Sequence, residues 1–244
     1  MGADSKIEWT RHTFSPWWGC TKVSQACRAC YAEAWAKRTG HAVWGEATPR
    51  RFFGEKHWRE PLKWNADAMR AGTTARVFCA SMADVFENRR DLDPWRERLW
   101  ELIEETPHLN WLLLTKRPEH VLAMVPRPWR TLLPAWLGVT YDDKGPERLD
   151  ALAQIPARIR FVSLEPLLAP VNLRPWLERG VLDWVIAGAE SGPRARPMNE
   201  DWVRALRDQC FPANVPFFYK QRLVGGRKIS LPELDGRQWA EFPE

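Results

Sequence analysis

From Arg76 onward, short apolar runs alternate with amphipathic segments along the chain. This alternation is typical of repeated βα units. The apolar runs are rich in β-branched or aromatic residues and nearly free of charge, as expected for parallel strands that are covered on both faces. We therefore predict six strands, at Arg76–Ser81, Asn110–Thr115, Ala135–Thr140, Arg158–Leu164, Leu182–Gly188 and Pro216–Gln221.

Two of the intervening segments carry clear helix signals. Asp93 precedes a proline, and apolar residues then share one helix face until Pro107 closes the segment. Asn199 is a second candidate N-cap, and Glu200 and Asp201 after it suit the positive end of a helix dipole. The chain therefore alternates predicted strands with predicted helices.

The number of strands favours a barrel. An additional strand around Lys6–Thr13 brings the predicted count to about seven, which favours a partial or complete βα barrel of mostly parallel strands. A doubly wound sheet stays open as an alternative, because spacing does not reveal strand order. We expect one domain over residues 1–244, with residues 222–244 as a closing arm. Three apolar side chains are expected to pack this arm: Leu234, Trp239 and Phe242.

Polar residues follow nearly every predicted strand. In parallel α/β architectures, active sites form at the carboxyl ends of the strands. We therefore expect six loops to converge on one pocket. These loops are "SMAD" ending at Asp84, "TKRP" from Thr115, "TYDD" from Thr140, "SLEP" from Ser163, "GAESG" from Gly188 and "YKQ" ending at Gln221.

Composition and charge indicate the size of the core and the kind of partner that the pocket would bind. The chain has 244 residues, 45% of them hydrophobic, which is enough for a substantial core. Its net charge of +5 favours anionic partners such as a nucleotide or a nucleic acid. Most of the 16 tryptophans are expected in the core, and one or two are candidates for stacking on a base. The sequence shows no signal peptide or membrane span, so we expect a cytoplasmic protein with reduced thiols.

Three of the five cysteines lie close together, at Cys20, Cys27 and Cys30. An odd total in a reducing compartment disfavours a disulfide framework. A closed zinc site would need a fourth ligand, such as His12 or His41. Cys27 and Cys30 also suit a redox dithiol at a helix N-terminus. In a third interpretation, three thiolates bind an iron–sulfur cluster and leave one iron open for a substrate or cofactor.

Several segments resemble the phage and bacterial three-Cys-motif family of uncharacterised proteins, which is related to the radical S-adenosylmethionine (SAM) superfamily. The resemblance extends over nearly the full length, and this sequence departs from the expected pattern at Ala29, Ala189 and Arg222. Six residues also separate the first two cysteines, where the superfamily usually has three. The segments include "WWGCTKVSQACRACYAEAWAKR", "LLLTKRPE", "SLEPLLAPVNL", "DWVIAGAESGPRARPM" and "VPFFYKQ".

The resemblance implies a radical SAM barrel and an iron–sulfur enzyme that cleaves SAM to a 5′-deoxyadenosyl radical. It assigns a [4Fe–4S] cluster to Cys20, Cys27 and Cys30, with SAM chelated by the open iron. Glu165 and Lys220 are candidate catalytic residues in contact with the substrate. The candidate SAM contacts are Asp84, Thr115, Lys116, Glu190 and Ser191.

The substrate is expected to be a nucleotide, a nucleic-acid base or a substrate held by a partner, and the resemblance names a three-Cys-motif partner protein. A base in a duplex would have to leave its stack before reaching a buried site. Two alternatives stay open. One is a zinc-stabilised nucleic-acid-binding module without catalytic activity, whose affinity would fall steeply with salt. The other is a cluster-free barrel that binds a partner.

Overall fold

The apolar runs form the central sheet of the protein. The computed structural model describes residues 2–192 and 195–244. Its strands are β1 (His12–Phe14), β2 (Trp17–Trp18), β3 (Arg51–Phe52), β4 (Ala75–Cys79), β5 (Leu109–Thr115), β6 (Leu133–Thr140), β7 (Ala157–Leu164), β8 (Trp184–Gly188), β9 (Phe217–Val224), β10 (Arg227–Ser230), β11 (Glu233–Leu234) and β12 (Arg237–Gln238).

Helices connect the strands of this sheet. Short 3₁₀ turns occur at Gln25–Ala29, Arg90–Leu92, Pro118–His120, Arg127–Arg130 and Phe211–Ala213. The α-helices are α1 (Tyr31–Arg38), α2 (Glu55–Trp58), α3 (Glu60–Arg70), α4 (Asp93–Glu105), α5 (Val121–Met124), α6 (Gly145–Ala153), α7 (Arg174–Leu177) and α8 (Glu200–Cys210). Both predicted helices are confirmed, and the Asn199 side chain caps α8 by accepting from the Asp201 N–H at 2.9 Å.

Strand order follows chain order, which distinguishes a curled half-barrel from a doubly wound sheet. The main sheet has the order β1-β4-β5-β6-β7-β8-β9-β10. Within this sheet all neighbouring strands from β1 to β9 are parallel, and β10 is antiparallel to β9; β2 and β3 form a separate antiparallel pair. A doubly wound sheet reverses its strand order at a switch point, and this order contains no reversal. The barrel prediction is therefore confirmed in its partial form.

The six predicted strands are confirmed, and the predicted N-terminal strand is shorter than expected. A turn occupies its first half, in which the Thr10 N–H donates to the Ile7 carbonyl at 3.1 Å. The chain then joins the sheet only at β1, where His12 lies opposite Val77. Trp9, within the turn, is buried against Phe78 with ring centroids 4.7 Å apart.

Two apolar layers cover the two faces of the sheet. On one face, strand residues such as Leu113 and Val139 pack with helix residues such as Leu99 and Val203. The concave face carries a cluster rich in aromatic residues, which includes Trp184. Eleven of the sixteen tryptophans are buried, so most of them serve the core as expected.

The C-terminal residues add β10 to the edge of the sheet and pack against both apolar layers. Leu234 is buried in the helix-side core, and Trp239 packs against that core while partly exposed. Phe242 reaches the concave cluster, where its ring lies 5.4 Å from Trp184 and 5.3 Å from Phe218. The three expected side chains therefore pack, while the assignment of residues 1–244 to one domain stays a prediction. In the described ranges no helix has both the length and the hydropathy needed to cross a membrane.

Gly138 gives a test of the packing on the concave face. A Cβ at this position would lie 2.3 Å from the fully buried Phe161 ring. We expect Gly138→Ala to lower the free energy of unfolding by about 1–3 kcal/mol, because the ring has no room to move. Gly54→Ala is the matched control, since a Cβ there meets nothing within 4 Å and φ is −80°. Urea denaturation of both variants measures the difference, and equal stabilities would contradict the packing described.

Candidate functional site

A cavity of about 360 Å³ opens at the carboxyl ends of the parallel strands. Side chains that follow β4, β5, β7 and β8 line it, together with Thr140 at the end of β6 and Lys220 and Gln221 within β9. The predicted convergence of the six loops is therefore confirmed. All ten predicted site residues lie in its wall: Cys20, Cys27, Cys30, Asp84, Thr115, Lys116, Glu165, Glu190, Ser191 and Lys220.

The cysteine loop, residues 19–30, forms one side of the cavity. It begins at Gly19, whose φ of +118° and close approach to the Val43 carbonyl exclude a side chain, since a Cβ would lie 2.2 Å from that oxygen. The 3₁₀ turn Gln25–Ala29 carries Cys27, and α1 begins directly after Cys30. All three thiols are free and partly buried.

Acidic residues after β6 anchor the cysteine loop. Asp142 accepts a hydrogen bond from the Ser24 hydroxyl at 2.6 Å and is also paired with Arg148. Asp143 accepts from the backbone N–H of Gln25 at 3.2 Å. The two aspartates therefore fix the segment that immediately precedes Cys27.

Arg117 anchors the other end of the same loop. Its guanidinium donates to the Thr21 carbonyl at 2.7 Å and lies 3.6 Å from the sulfur of Cys20. Burial and the negative charge of Asp84 raise the pKa of the Cys20 thiol to about 12, and Arg117 opposes this shift. Arg50, paired with Glu87 at 2.7 Å, adds a second contact by donating to the Thr21 hydroxyl at 3.0 Å.

The pKa of the Cys27 thiol is shifted in the opposite direction from that of Cys20. Burial alone would raise its pKa, but hydrogen bonds to the Val23 backbone and to Ser24 outweigh that effect, with help from the positive charge of Lys116. The net result is a lowered pKa for Cys27. The Ser24 hydroxyl lies 3.6 Å from its sulfur. Cys27 is therefore easier to ionise than Cys20.

The donor set fits an iron–sulfur cluster, because three free thiols line one cavity and thiolates are the ligands that such clusters take. Their present arrangement is not a formed metal centre. Across residues 2–192 and 195–244, no three His, Cys, Asp or Glu side chains are grouped so that they could hold a metal ion. The assignment of the three cysteines as ligands therefore stays a prediction.

The two histidines considered as a fourth zinc ligand lie away from this cavity wall. His12 is stacked on Trp64 at 4.5 Å on the helix side of β1. His41 packs edge-on against Trp18 at 5.5 Å. The structure therefore gives no support to a closed zinc site completed by either histidine.

Asp84 accepts four hydrogen bonds from its own chain. One oxygen accepts from the Thr115 hydroxyl at 2.8 Å and the Phe86 N–H at 3.1 Å. The other accepts from the Lys116 N–H at 3.0 Å and from Arg117 at 2.9 Å. A carboxylate offers about four lone-pair sites, so these four donors saturate it. Asp84 therefore positions the loop after β5, and its assignment as a SAM contact stays a prediction.

The Thr115 hydroxyl also makes its hydrogen bonds within the chain, whereas the Lys116 ammonium has only one such contact among the described residues. The Thr115 hydroxyl donates to Asp84 and accepts from the Arg117 N–H at 2.9 Å. The Lys116 ammonium contacts the Thr140 hydroxyl at 3.3 Å. Within the described part of the chain, no carboxylate lies at salt-bridge distance from Lys116. Its charge therefore faces the cavity and is available to an anionic ligand.

The loop after β8 is held by its own ion pair. The buried Glu190 carboxylate accepts three hydrogen bonds from Arg196, at 2.7, 2.8 and 2.9 Å. These bonds hold the pKa of Glu190 below its usual value, although burial opposes the shift. Ser191 accepts from Gln221 at 2.8 Å. Two residues of the quoted motif at this loop, Pro193 and Arg194, lie outside the described residues.

Glu165 and Lys220 form an ion pair in the cavity wall. The Lys220 ammonium donates to both carboxylate oxygens of Glu165, at 2.5 and 2.7 Å. Both side chains are largely buried and line the cavity. Because an ammonium has three donors, one of them stays free to contact a substrate.

Four residues that organise the site were missed by sequence reasoning: Arg50, Arg117, Asp142 and Arg148. Arg117 and Asp142 lie within the polar loops "TKRP" and "TYDD", so the strand-end pattern did mark their positions. Nothing in the sequence distinguishes an arginine buried under a loop from one on the surface. Their roles became visible only through the contacts of the folded chain.

Comparisons with known proteins support the fold. A family model described as a protein of unknown function (DUF5131) matches residues 4–243. It does not name the three-Cys-motif family, so that assignment stays a prediction. No curated protein matches the sequence.

Two solved structures of spore photoproduct lyase share the architecture. A double mutant with bound AdoMet and dinucleoside spore photoproduct gives a TM-score of 0.50 at 12% identity, over 86% of this chain and 63% of that chain. A single mutant gives 0.51 at 12% identity, over 87% and 75%. The chain thus spans less than two thirds of the first, and the likeness is one of fold.

The thiols give a direct chemical test of the electrostatics. Thiolate is the reactive form, and with a pKa of about 12 only about one Cys20 side chain in ten thousand is ionised at pH 8. We expect iodoacetamide to alkylate Cys27 well before Cys20 at pH 8, and Cys20 to gain reactivity as the pH rises. Trypsin separates the sites, because Lys22 and Arg28 lie between the cysteines. Peptide mass spectrometry reads the rates, with buried Cys210 as the unreactive control. Equal rates at Cys20 and Cys27 would contradict the assignment.

Asp84→Asn tests the buried network. The amide presents an NH₂ group where the carboxylate accepted donors, so at least one buried donor loses its partner. We expect the free energy of unfolding to fall by about 3 kcal/mol, as for other broken buried ion pairs. Asp208→Asn is the control, because its pair with Arg207 is on the surface. Urea denaturation of the two variants should separate them clearly, and a neutral Asp84→Asn would show that the network adds little.

Proposed function

We propose that this chain, which belongs to the DUF5131 family of proteins of unknown function, is a radical SAM enzyme. The observation that carries the proposal is the cavity at the carboxyl ends of a curled parallel sheet. Three free cysteines line it together with a buried ion pair and Lys116, which has no carboxylate partner among the described residues. The fold is shared with spore photoproduct lyase, one structure of which has AdoMet bound. The volume of about 360 Å³ lies in the range of small-ligand pockets, roughly 300–1,000 Å³.

In this proposal Cys20, Cys27 and Cys30 hold a [4Fe–4S] cluster and leave one iron for SAM. With SAM bound, a reduced cluster there would supply one electron to the sulfonium, which would release methionine and a 5′-deoxyadenosyl radical. The protein contributes the positions and charges around it. Arg117, 3.6 Å from the Cys20 sulfur, stabilises the thiolate form that ligation requires.

The predicted SAM contacts fall into two groups. Some already make all their hydrogen bonds within the chain, and the others keep a donor or a charge for a ligand. Asp84 and Thr115 support the loop, as described above. Lys116 carries the free positive charge, so it is the residue we assign to the SAM carboxylate. Ser191 keeps its hydroxyl proton for a ligand, since it accepts from Gln221. Glu190 stays a candidate for the SAM ammonium, with Arg196 as its present partner.

Glu165 and Lys220 are the residues that we assign to the substrate. Their pair keeps a carboxylate and an ammonium in contact at the cavity wall without a net charge. The free donor of Lys220 binds an acceptor oxygen or nitrogen of the substrate, and Glu165 orients that donor. A nucleotide, a nucleic-acid base or a partner-held group offers such acceptors. These are the substrates that we propose.

Cluster loading tests the proposal. We expect the anaerobically reconstituted chain to contain about four iron and four sulfide ions, to be brown, and to convert SAM into 5′-deoxyadenosine after reduction. Single alanine variants of Cys20, Cys27 and Cys30 should lose the iron, because each removes one ligand. Cys210→Ala is the matched control, since that thiol is buried at the C-terminal end of α8 and does not line the cavity. Stoichiometric zinc without iron, or full iron content in Cys27→Ala, would overturn the proposal.

A further inference from the structure

A second and wider cavity, about 890 Å³, adjoins the cysteine cavity. We call it the α1 groove, because α1 lines it together with residues 2–7, 28–30 and 191–192. The two cavities share Cys30, Tyr31, Ser81 and Ser191 in their walls. A long molecule in the α1 groove therefore lies against the entrance of the proposed active site.

The charge of the α1 groove is positive. Two anionic side chains line it, and both are already paired. Glu33 contacts Lys22 and Lys37 at 2.7 Å each, and Asp4 lies 3.7 Å from Arg11. The cations outnumber these anions, and they are Lys6, Lys22, Arg28, Lys37 and Arg38. The surplus charge favours a polyanionic occupant.

Three of these cations have no carboxylate partner. Within residues 2–192 and 195–244, no carboxylate lies at salt-bridge distance from Lys6, Arg28 or Arg38. The Arg38 guanidinium is instead placed over the Trp35 ring, 4.5 Å from its centroid. Their donors are therefore available to phosphate oxygens.

Exposed aromatic rings accompany these cations. Tyr31 is 52% exposed and Trp35 is 44% exposed, although most tryptophans of this protein are buried. The two residues are four positions apart on α1, so their rings lie on the same helix face, one turn apart. The Tyr31 hydroxyl donates to the Ser81 carbonyl at 2.8 Å, which fixes its ring at the border between the two cavities.

We infer that the α1 groove binds a single-stranded segment of nucleic acid and delivers one of its bases to the cysteine cavity. Phosphates contact Arg28, Arg38 and Lys6, and a base stacks on Trp35. Stacking of this kind requires an unpaired base, which favours a single strand over a duplex. The inference rests on the proposed function, because it names the substrate class of that site.

Fluorescence anisotropy of the full-length chain with labelled oligonucleotides tests the inference. The probes are a 12-nucleotide oligo-dT, the matching oligo-U and a 12-base-pair duplex, each titrated over a range of salt concentrations. We expect the single strands to bind more tightly than the duplex. Trp35→Ala should weaken binding of the single strands about fivefold or more, and Trp35→Phe should restore most of the loss because it keeps a ring.

A double variant tests the phosphate contacts. Removing two of them in Arg28→Ala/Arg38→Ala should reduce the slope of log affinity against log salt by about 1.4. Arg127→Ala/Arg130→Ala is the matched control, since it removes the same charge from the turn that precedes β6, at the opposite end of the sheet. Equal losses in the two double variants, tighter binding of the duplex, or no binding of either single strand at low salt would overturn the inference.

The wild-type chain separates this inference from the proposed function. Binding is measured before and after cluster reconstitution, and SAM cleavage is measured on the same sample. Binding with the expected salt and variant dependence, but without iron or SAM cleavage, overturns the proposed function and leaves the groove as a binding site. SAM cleavage without any oligonucleotide binding overturns only the inference.

Discussion

The buried contact between Asp84 and Arg117 is the interaction on which the cavity depends. It joins three separate parts of the chain, since Asp84 follows β4, Arg117 follows β5 and Arg117 also holds the Thr21 carbonyl of the cysteine loop. A buried ion pair stabilises a fold only when its remaining donors and acceptors are satisfied. Here the Thr115 hydroxyl and the backbone N–H groups of Phe86 and Lys116 donate to the remaining acceptor sites of Asp84. The ion pair therefore holds these segments in place without leaving a carboxylate oxygen of Asp84 unsatisfied.

The charged residues of the cavity are of two kinds. Some are paired within the chain and hold loops in place, and others are available to a ligand. Asp142 with Arg148, and Glu190 with Arg196, hold loops in place. Lys116 lines the cavity with no carboxylate partner among the described residues, and its charge acts on the Cys27 thiol, which ionises more easily than Cys20. A site in which most charges are neutralised internally, while one cation faces the cavity, is suited to a ligand that carries a carboxylate or phosphate.

Much of the fold was predictable because its signals are local. Uninterrupted apolar runs identified every parallel strand from β4 to β9, and the parallel topology then placed their polar ends together. The N-terminal strand was predicted too long, because the turn at Ile7 that buries Trp9 has no distinctive residue pattern. The support that Asp84 gives to the loop after β5 was not predicted. The sequence shows that a carboxylate follows β4, but it does not show which donors surround that carboxylate in the folded chain.

The anchor between Ser24 and Asp142 has a consequence for the order of assembly. The two residues are separated by 118 positions, so the ribosome releases the cysteines long before it has made the carboxylate that holds them. Each parallel strand pairs with the one synthesised before it, and the sheet can therefore grow in step with synthesis. The cysteine loop acquires its final shape only when the segment after β6 has docked. Any cofactor held by that loop would therefore meet its final surroundings only after β1, β4, β5 and β6, half of the main sheet, have been made.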